Sequence, residues 1–301
     1  MTPGPPSPPA PPSGDPASDF DLVPLRQGRI GIRSRRYQEV CHPGVGPAEE
    51  AEQLYVSGLD LPRRWREGAE EFVVWDVGLG GGANAVAVLA AARRTEVRLR
   101  LLSFDHSLDP LAFAFQHREA LGYFQDLDPL VARFLGEGAA TLDMNPGRLR
   151  WDFVAGDFAA ALTHPNASPA ALPAPQAILF DPHSPRVNPE MWTLPLFTAL
   201  RARVAPALPC TLATYSRSTS VRVALLLAGW WVGTGSGTGT KEETTVAATD
   251  SSLLRHPLEA SWLGRARRSG AAEPWVTPPH HAQPLSERSW EALQRHPQFA
   301  T

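Results

Sequence analysis

Between roughly residue 70 and residue 250 the chain alternates short apolar runs with stretches whose apolar residues recur at helical spacing. Strands are predicted at Phe72–Val77, Val97–Phe104, Trp151–Ala155, Ala177–Phe180, Thr211–Tyr215, Trp230–Val232 and Thr244–Ala248. Helices are predicted over Asn84–Arg93, Leu111–Leu121, Asp128–Gly136, Asn188–Val204 and Ser218–Ala228. Strand and helix in turn is the order of an α/β unit, a mostly parallel sheet covered by helices. The last two strands are separated by a Gly/Thr/Ser stretch too short for a crossover helix. An antiparallel hairpin is therefore expected at one edge of the sheet.

The ends follow other rules. Residues 1–19 are dominated by proline and small residues that cannot bury a core, which predicts a disordered arm. Residues 20–67 form a lead-in, expected to pack near the mouth of the α/β unit, with some strand within His42–Trp65. Residues 68–269 make the main domain. Residues 270–301, punctuated by Pro278, Pro279 and Pro284, are expected to be a loosely docked tail whose one helix-like stretch is Leu285–Arg295.

Composition narrows the class. With 43% hydrophobic and 20% charged residues among 301, the chain can sustain a core without a staple. Cys41 and Cys210 belong to no C-x-x-C pattern, so no disulfide framework and no metal site is expected. The most apolar stretches, Ala85–Ala92 and Val223–Val232, are about half the ~20 residues that a membrane span needs, and a soluble cytoplasmic protein is the expectation. A net charge of −3 argues against indiscriminate nucleic-acid binding. Any RNA contact must be local, and the candidate clusters are Arg33, Arg35 and Arg36, then Arg63, Arg64 and Arg66, then Arg265, Arg267 and Arg268. Each also reads as ordinary solvated surface.

Four stretches carry chemistry. In Asp76-Val77-Gly78-Leu79-Gly80-Gly81-Gly82-Ala83-Asn84 a strand runs into glycines and then a helix, a turn that lets a ligand approach the backbone. Asp76 ends that strand, where open α/β sheets bind ligands. Asp105 ends the next run and is placed for the two hydroxyls of a ribose, a feature that NAD sites share. Asp157, just past a third strand, could receive the exocyclic amine of adenine or simply cap a helix. The fourth stretch is Asp181-Pro182-His183-Ser184-Pro185-Arg186-Val187-Asn188-Pro189-Glu190-Met191-Trp192. Its prolines make a stiff loop that holds an acid at the ligand edge, and Asn188-Pro189 reads as a helix cap. Asp181 is the first candidate for the reactive group.

These stretches, with Thr211–Ser216, the helix Val221–Trp230 and Gly237-Thr238-Gly239-Thr240-Lys241, resemble the tRNA 5-methylaminomethyl-2-thiouridine methyltransferases, the methyltransferase half of MnmC that also exists as stand-alone MnmD. The lead-in matches as well, through His42-Pro43, Gly46, Glu49-Glu50, Leu54-Tyr55-Val56 and Leu61–Trp65. The resemblance spans about Phe20 to Asp250. It implies a Rossmann-like methyltransferase fold, S-adenosyl-L-methionine as cofactor, and methylation of the amine of 5-aminomethyl(-2-thio)uridine in a tRNA anticodon loop. No membrane or DNA partner is implied.

For the cofactor it implies Glu50, Asp76, Gly78, Gly80, Asn84, Asp105 and Asp157. For substrate it implies Pro182, His183, Asn188, Trp192, Tyr215 and Lys241, with Asp181 catalytic. Trp192 and Tyr215 would stack on an everted base, although aromatics so placed are more often core. Two positions depart from the family's usual pattern: His183 stands where an aromatic is common, and Glu242 follows Lys241 where a basic pair is frequent. The oxidase domain of the bifunctional form is not expected within these 301 residues. Competing readings are a methyltransferase for a small-molecule amine and a non-catalytic adenosine-binding protein. A dehydrogenase fits less well, because the second half offers no hydride-transfer site.

Overall fold

The computed structural model describes residues 19–41, 46–67, 71–163, 172–238, 241–278 and 281–300. Nearly all of the proline-rich arm, and His42-Pro43 of the lead-in, lie outside them. The lead-in opens with a small antiparallel sheet, β1 (Phe20–Pro24), β2 (Ile30–Ser34) and β3 (Glu39–Val40). Helix α1 (Pro47–Ala51) follows, then a π-helical turn over Glu52–Val56, then α2 (Leu61–Glu67). The strands thus lie upstream of the stretch where sequence placed them, and His42–Trp65, where it is described, holds helices joined by a turn. The π turn breaks the 3.6-residue period, and α1 buries Glu50, so no clean amphipathic pattern survives.

The main domain runs β4 (Phe72–Val77), α3 (Ala83–Ala92), β5 (Arg98–Asp105), α4 (Asp109–Gln116), α5 (Arg118–Leu121), α6 (Asp128–Glu137), β6 (Ala139–Asp143) and β7 (Arg148–Ala155). It continues through α7 (Phe158–Thr163), β8 (Ala177–Phe180), α8 (Leu194–Ala202), β9 (Thr211–Thr214), α9 (Thr219–Leu227), β10 (Trp231–Thr238) and β11 (Lys241–Ala248). Helices α10 (Ala260–Arg268) and α11 (Glu287–Gln294) end the chain.

Eight strands form one sheet in the order β10-β11-β9-β8-β4-β5-β7-β6. The five from β9 to β7 are parallel, and the expected hairpin of β10 and β11 closes one edge. A second antiparallel hairpin, β6 with β7, closes the other edge and was not anticipated. The short Ala-Ala-Thr-Leu-Asp of β6 carries too little apolar alternation to announce a strand. The Gly/Thr/Ser stretch read as a loop continues β10. Its Gly233 is needed where a Cβ would stand 2.6 Å from the carbonyl of His256.

Side chains alternate across the central strands. Phe72 and Val74 enter one core with Leu99, Leu101, α3 and the lead-in helices; Val73, Trp75 and Val77 enter the other with Leu102, Phe104, α8 and α9. The predicted helix Asn188–Val204 is instead a 3-10 turn, Pro189–Trp192, followed by α8, whose Thr193 hydroxyl accepts from the Leu196 N–H at 3.3 Å. Helix 111–121 is likewise broken at His117. The segment expected to be loosely docked packs inward: Leu285, Leu293 and Phe299 join the second core, and the Gln298 amide donates to the carbonyls of Val232 (2.7 Å) and Leu258 (2.9 Å).

Candidate active site

The chain leaves β4 toward β5 on one side and returns through β8 on the other. Loops beyond the carboxyl ends of β4 and β8 therefore diverge, which opens the crevice where such sheets bind ligands. The Asp181 N–H donates to the Val77 carbonyl at 3.0 Å, and a Cβ on Gly78 (φ 90°) would stand 2.7 Å from the Asp181 carbonyl. Gly78 is thus required by contact between the two loops. Gly80 differs: its φ is 50° and a Cβ there would meet no atom of the described residues within 4 Å, which leaves room for a close approach to the backbone.

Asp105 holds that loop. Its Oδ2 accepts from the Gly80 N–H at 2.9 Å and its Oδ1 from the His106 N–H at 2.7 Å. Tyr123 donates to the Gly81 carbonyl at 2.7 Å. Asp157 lies one strand over, beyond β7, and its Oδ1 accepts from the Ala160 N–H at 2.8 Å, which realises the helix-capping alternative. Its exposure leaves acceptor capacity for a second donor.

Asp76 is fully buried, and its Oδ2 accepts from the Ser103 hydroxyl at 2.7 Å, which in turn accepts from the Trp151 indole at 2.9 Å. Burial pushes its carboxyl up to about 7; the Ser103 hydrogen bond opposes this, and the charges of Asp181 and Asp105 add to it. The Asn84 amide donates to Asp181 Oδ2 at 2.7 Å. Three buried oxygens at this edge, Asp76 Oδ1, Asn84 Oδ1 and Thr214 Oγ1, find no hydrogen-bond partner among the described residues. Such atoms call for donors, and an ammonium or a ribose hydroxyl is a donor. The residues therefore fit the amino and ribose groups of S-adenosyl-L-methionine, with Gly80 giving room for its approach.

The reactive loop is fastened from several sides. Tyr215 donates to the Pro182 carbonyl at 3.0 Å, and the Trp192 indole to that of His183 at 2.9 Å. Trp192 is 1% exposed and stands edge-on to Tyr215, with ring centres 5.6 Å apart. Its predicted substrate role is corrected accordingly: it supports the loop from within the core. Asn188 caps no helix with its side chain; its N–H donates to the Ser184 carbonyl at 2.9 Å. The side chain of Lys241 lies outside what is described.

Sequence reasoning missed four contributors, all from the lead-in. Glu39 accepts from the Ser184 N–H (3.1 Å), the Ser184 hydroxyl and Arg186 (3.2 Å). Burial acts to raise the Glu39 carboxyl, but the Ser184 hydrogen bonds, His183 and Arg186 bring it below the usual range. Tyr37 packs its ring on His183 with centres 4.2 Å apart. Cys41 lies close enough to Asp181, Asp105 and Glu39 for their charges to join burial in pushing its thiol up to about 12. Burial raises the Tyr55 hydroxyl, and the charges of Asp181, Glu50 and Asp76 raise it further. Glu50 is itself buried. Only Tyr55 could have been found, since it sits in a recognisable motif; the others come to the site by folding alone.

The result is an edge lined by Glu39, Glu50, Asp76, Asp105 and Asp181. Clustered carboxylates in a low-dielectric crevice attract cations, which suits a sulfonium and an amine. Among the described residues no group of His, Cys, Asp and Glu could hold a metal, and no helix is long and apolar enough to cross a membrane.

Residues 124–250 match a family model described as S-adenosyl-L-methionine-dependent methyltransferase. The chain is 32% identical over 255 residues to the tRNA 5-methylaminomethyl-2-thiouridine biosynthesis bifunctional protein MnmC of Ralstonia nicotianae, across 83% of this chain and 36% of that protein. Its counterpart in Methylibium petroleiphilum is 30% identical over 296 residues, 89% of this chain and 42% of that protein. The chain thus spans less than half the length of these relatives. The crystal structure of MNMC2 from Aquifex aeolicus shares the fold, with a TM-score of 0.66, 23% identity, and coverage of 91% of this chain and 84% of that one.

Proposed function

We propose that this chain, similar over residues 124–250 to a family model of S-adenosyl-L-methionine-dependent methyltransferases and 30–32% identical to MnmC proteins, methylates the primary amine of a 5-aminomethyl group on a wobble uridine, in the anticodon loop of a cytoplasmic tRNA. The observation that carries this reading is Asp181, locked by Asn84 and by the Val77 carbonyl at the switch point of the sheet, within an acid-lined crevice.

Asp105 would hold the ribose and Asp157 the adenine amine of the cofactor. Asp76, Asn84 and Glu50 would face its amino acid end, and Gly78 and Gly80 would shape the loop beneath it. When bound, S-adenosyl-L-methionine supplies a methyl carbon made electrophilic by its sulfonium. Asp181 accepts a hydrogen bond from the neutral substrate amine and aims its lone pair along the line to that carbon. Transfer of that methyl group would leave the amine with one proton more than the neutral product carries. The proton on the new secondary amine then passes toward Asp181 or water. Tyr215 keeps the acid-bearing loop from drifting by its hydrogen bond to the Pro182 carbonyl, and His183 borders the substrate side.

Replacing Asp181 with Asn preserves shape, removes the charge and turns one acceptor oxygen into a donor. Methyl transfer to undermethylated tRNA is expected to fall by about two orders of magnitude, the scale of a positioned acid-base group. Cofactor affinity, read by calorimetry, should change only a few-fold, and thermal stability little. Parallel losses in stability and cofactor binding would make Asp181 a structural residue; an unchanged rate would remove it from the mechanism.

A further inference from the structure

The two aromatics that the sequence offered for stacking on a base are both occupied. Trp192 is buried, and Tyr215 is half-buried with its hydroxyl on the Pro182 carbonyl. A different ring pair stands on the open side of the reactive loop. Tyr37, on the turn between β2 and β3, and His183, two residues past Asp181, are each partly exposed, tilted at 38° with ring centres 4.2 Å apart. Two guanidiniums flank them. Arg36 lies over the Tyr37 ring at 5.4 Å, and Arg186, with 70% of its side chain exposed, is tethered to Glu39 at 3.2 Å. Glu39 also grips Ser184, which ties this lip to the acid-bearing loop.

Aromatic faces beside arginines are what single-stranded RNA binds: bases stack on the rings while cations meet the phosphates. From this juxtaposition, and resting on the tRNA reading above, we propose that Tyr37 and His183 form a stacking platform for the base next to the methylated uridine, with Arg36 and Arg186 contacting the adjoining phosphates. The platform sets which RNA is engaged. It acts separately from the crevice, where the acids hold the amine and the cofactor. Neutral His183 serves as a flat ring, and its burial holds its pKa below the usual imidazole value even though Glu39, Asp105 and Asp181 pull it upward.

The test uses an anticodon stem-loop RNA carrying 2-aminopurine beside the wobble uridine, whose fluorescence is quenched when that base stacks. The wild-type protein should quench it on binding. Tyr37→Ala should lose the quench and bind the stem-loop about tenfold or more weakly, the scale of one base-aromatic stack. Tyr37→Phe should retain both. Calorimetric affinity for S-adenosylhomocysteine should be the same in all three. Arg36→Gln with Arg186→Gln should flatten the dependence of stem-loop affinity on salt. Wild-type quench and affinity in Tyr37→Ala would overturn the platform, as would loss of S-adenosylhomocysteine binding in both Tyr37 variants, which would make Tyr37 a support of the fold. A wild-type protein that binds S-adenosylhomocysteine but neither binds the stem-loop nor methylates tRNA would instead overturn the functional reading beneath it.

Discussion

Residue by residue, the acids at the strand ends were legible because each lies within a few positions of its strand and turn. Asp76, Asp105 and Asp181 are found where their local sequence placed them. What a residue does beyond that depends on neighbours that sequence does not list side by side. Asp157 proved to cap a helix, and Trp192 to fill the core. Asp76 makes a measurable consequence of such neighbours. In the unfolded chain its carboxyl titrates near the ordinary value of about 4, whereas burial raises it to about 7 in the folded protein. Between those limits the folded state keeps a proton that the unfolded state has lost, so stability falls as pH rises. The contribution is fully present below about pH 4 and gone above about pH 7. An Asp76→Asn protein lacks this titration. Melting temperatures of wild type and variant, taken from pH 4 to pH 8, should therefore diverge in the variant's favour up to about pH 7 and run parallel above it. Parallel curves throughout would mean that Asp76 ionises as an exposed carboxylate does.

At the scale of elements, the central strands could be read because both faces are buried and the apolar runs are unbroken. Elements with mixed surroundings could not. β6 is short and half-exposed, the Glu52–Val56 turn departs from the α period, and the Gly-Thr-Gly-Ser stretch of β10 looks like a loop until His256 is seen against Gly233. The carboxyl-terminal segment misleads for another reason: its prolines separate apolar residues that meet only after folding. Leu293, fully buried on α11, tests that packing. Leu293→Ala should lower unfolding free energy by about 2–5 kcal/mol, the range for a leucine removed from a close-packed core. Chemical denaturation would read it, and a change below about 0.5 kcal/mol, the scale of surface substitutions, would return this segment to a loosely docked tail.

For the molecule as a whole, charge is sorted rather than abundant. A chain of net charge −3 gathers carboxylates in the crevice and sets arginines around its outer lip. The arginine groups picked from sequence divide accordingly. Arg64 is buried, donating to Thr211, Gln176 and Pro209, and Arg63 is paired with Asp60 and Glu67, so that cluster serves the fold. Arg36, of the first group, lies beside the reactive loop with Arg186, which belonged to none of the groups. An RNA would thus be held by its phosphates at the rim while one base enters the acidic interior, where a neutral amine can be oriented for attack. The measurement that bears most directly on this account is nucleoside mass spectrometry of tRNA from cells that leave the 5-aminomethyl group unmethylated. After incubation with the purified protein and isotopically labelled S-adenosyl-L-methionine, 5-aminomethyl-2-thiouridine should decline as a labelled species one methyl heavier rises in its place. A protein that binds the cofactor yet leaves every tRNA nucleoside unlabelled would contradict the account.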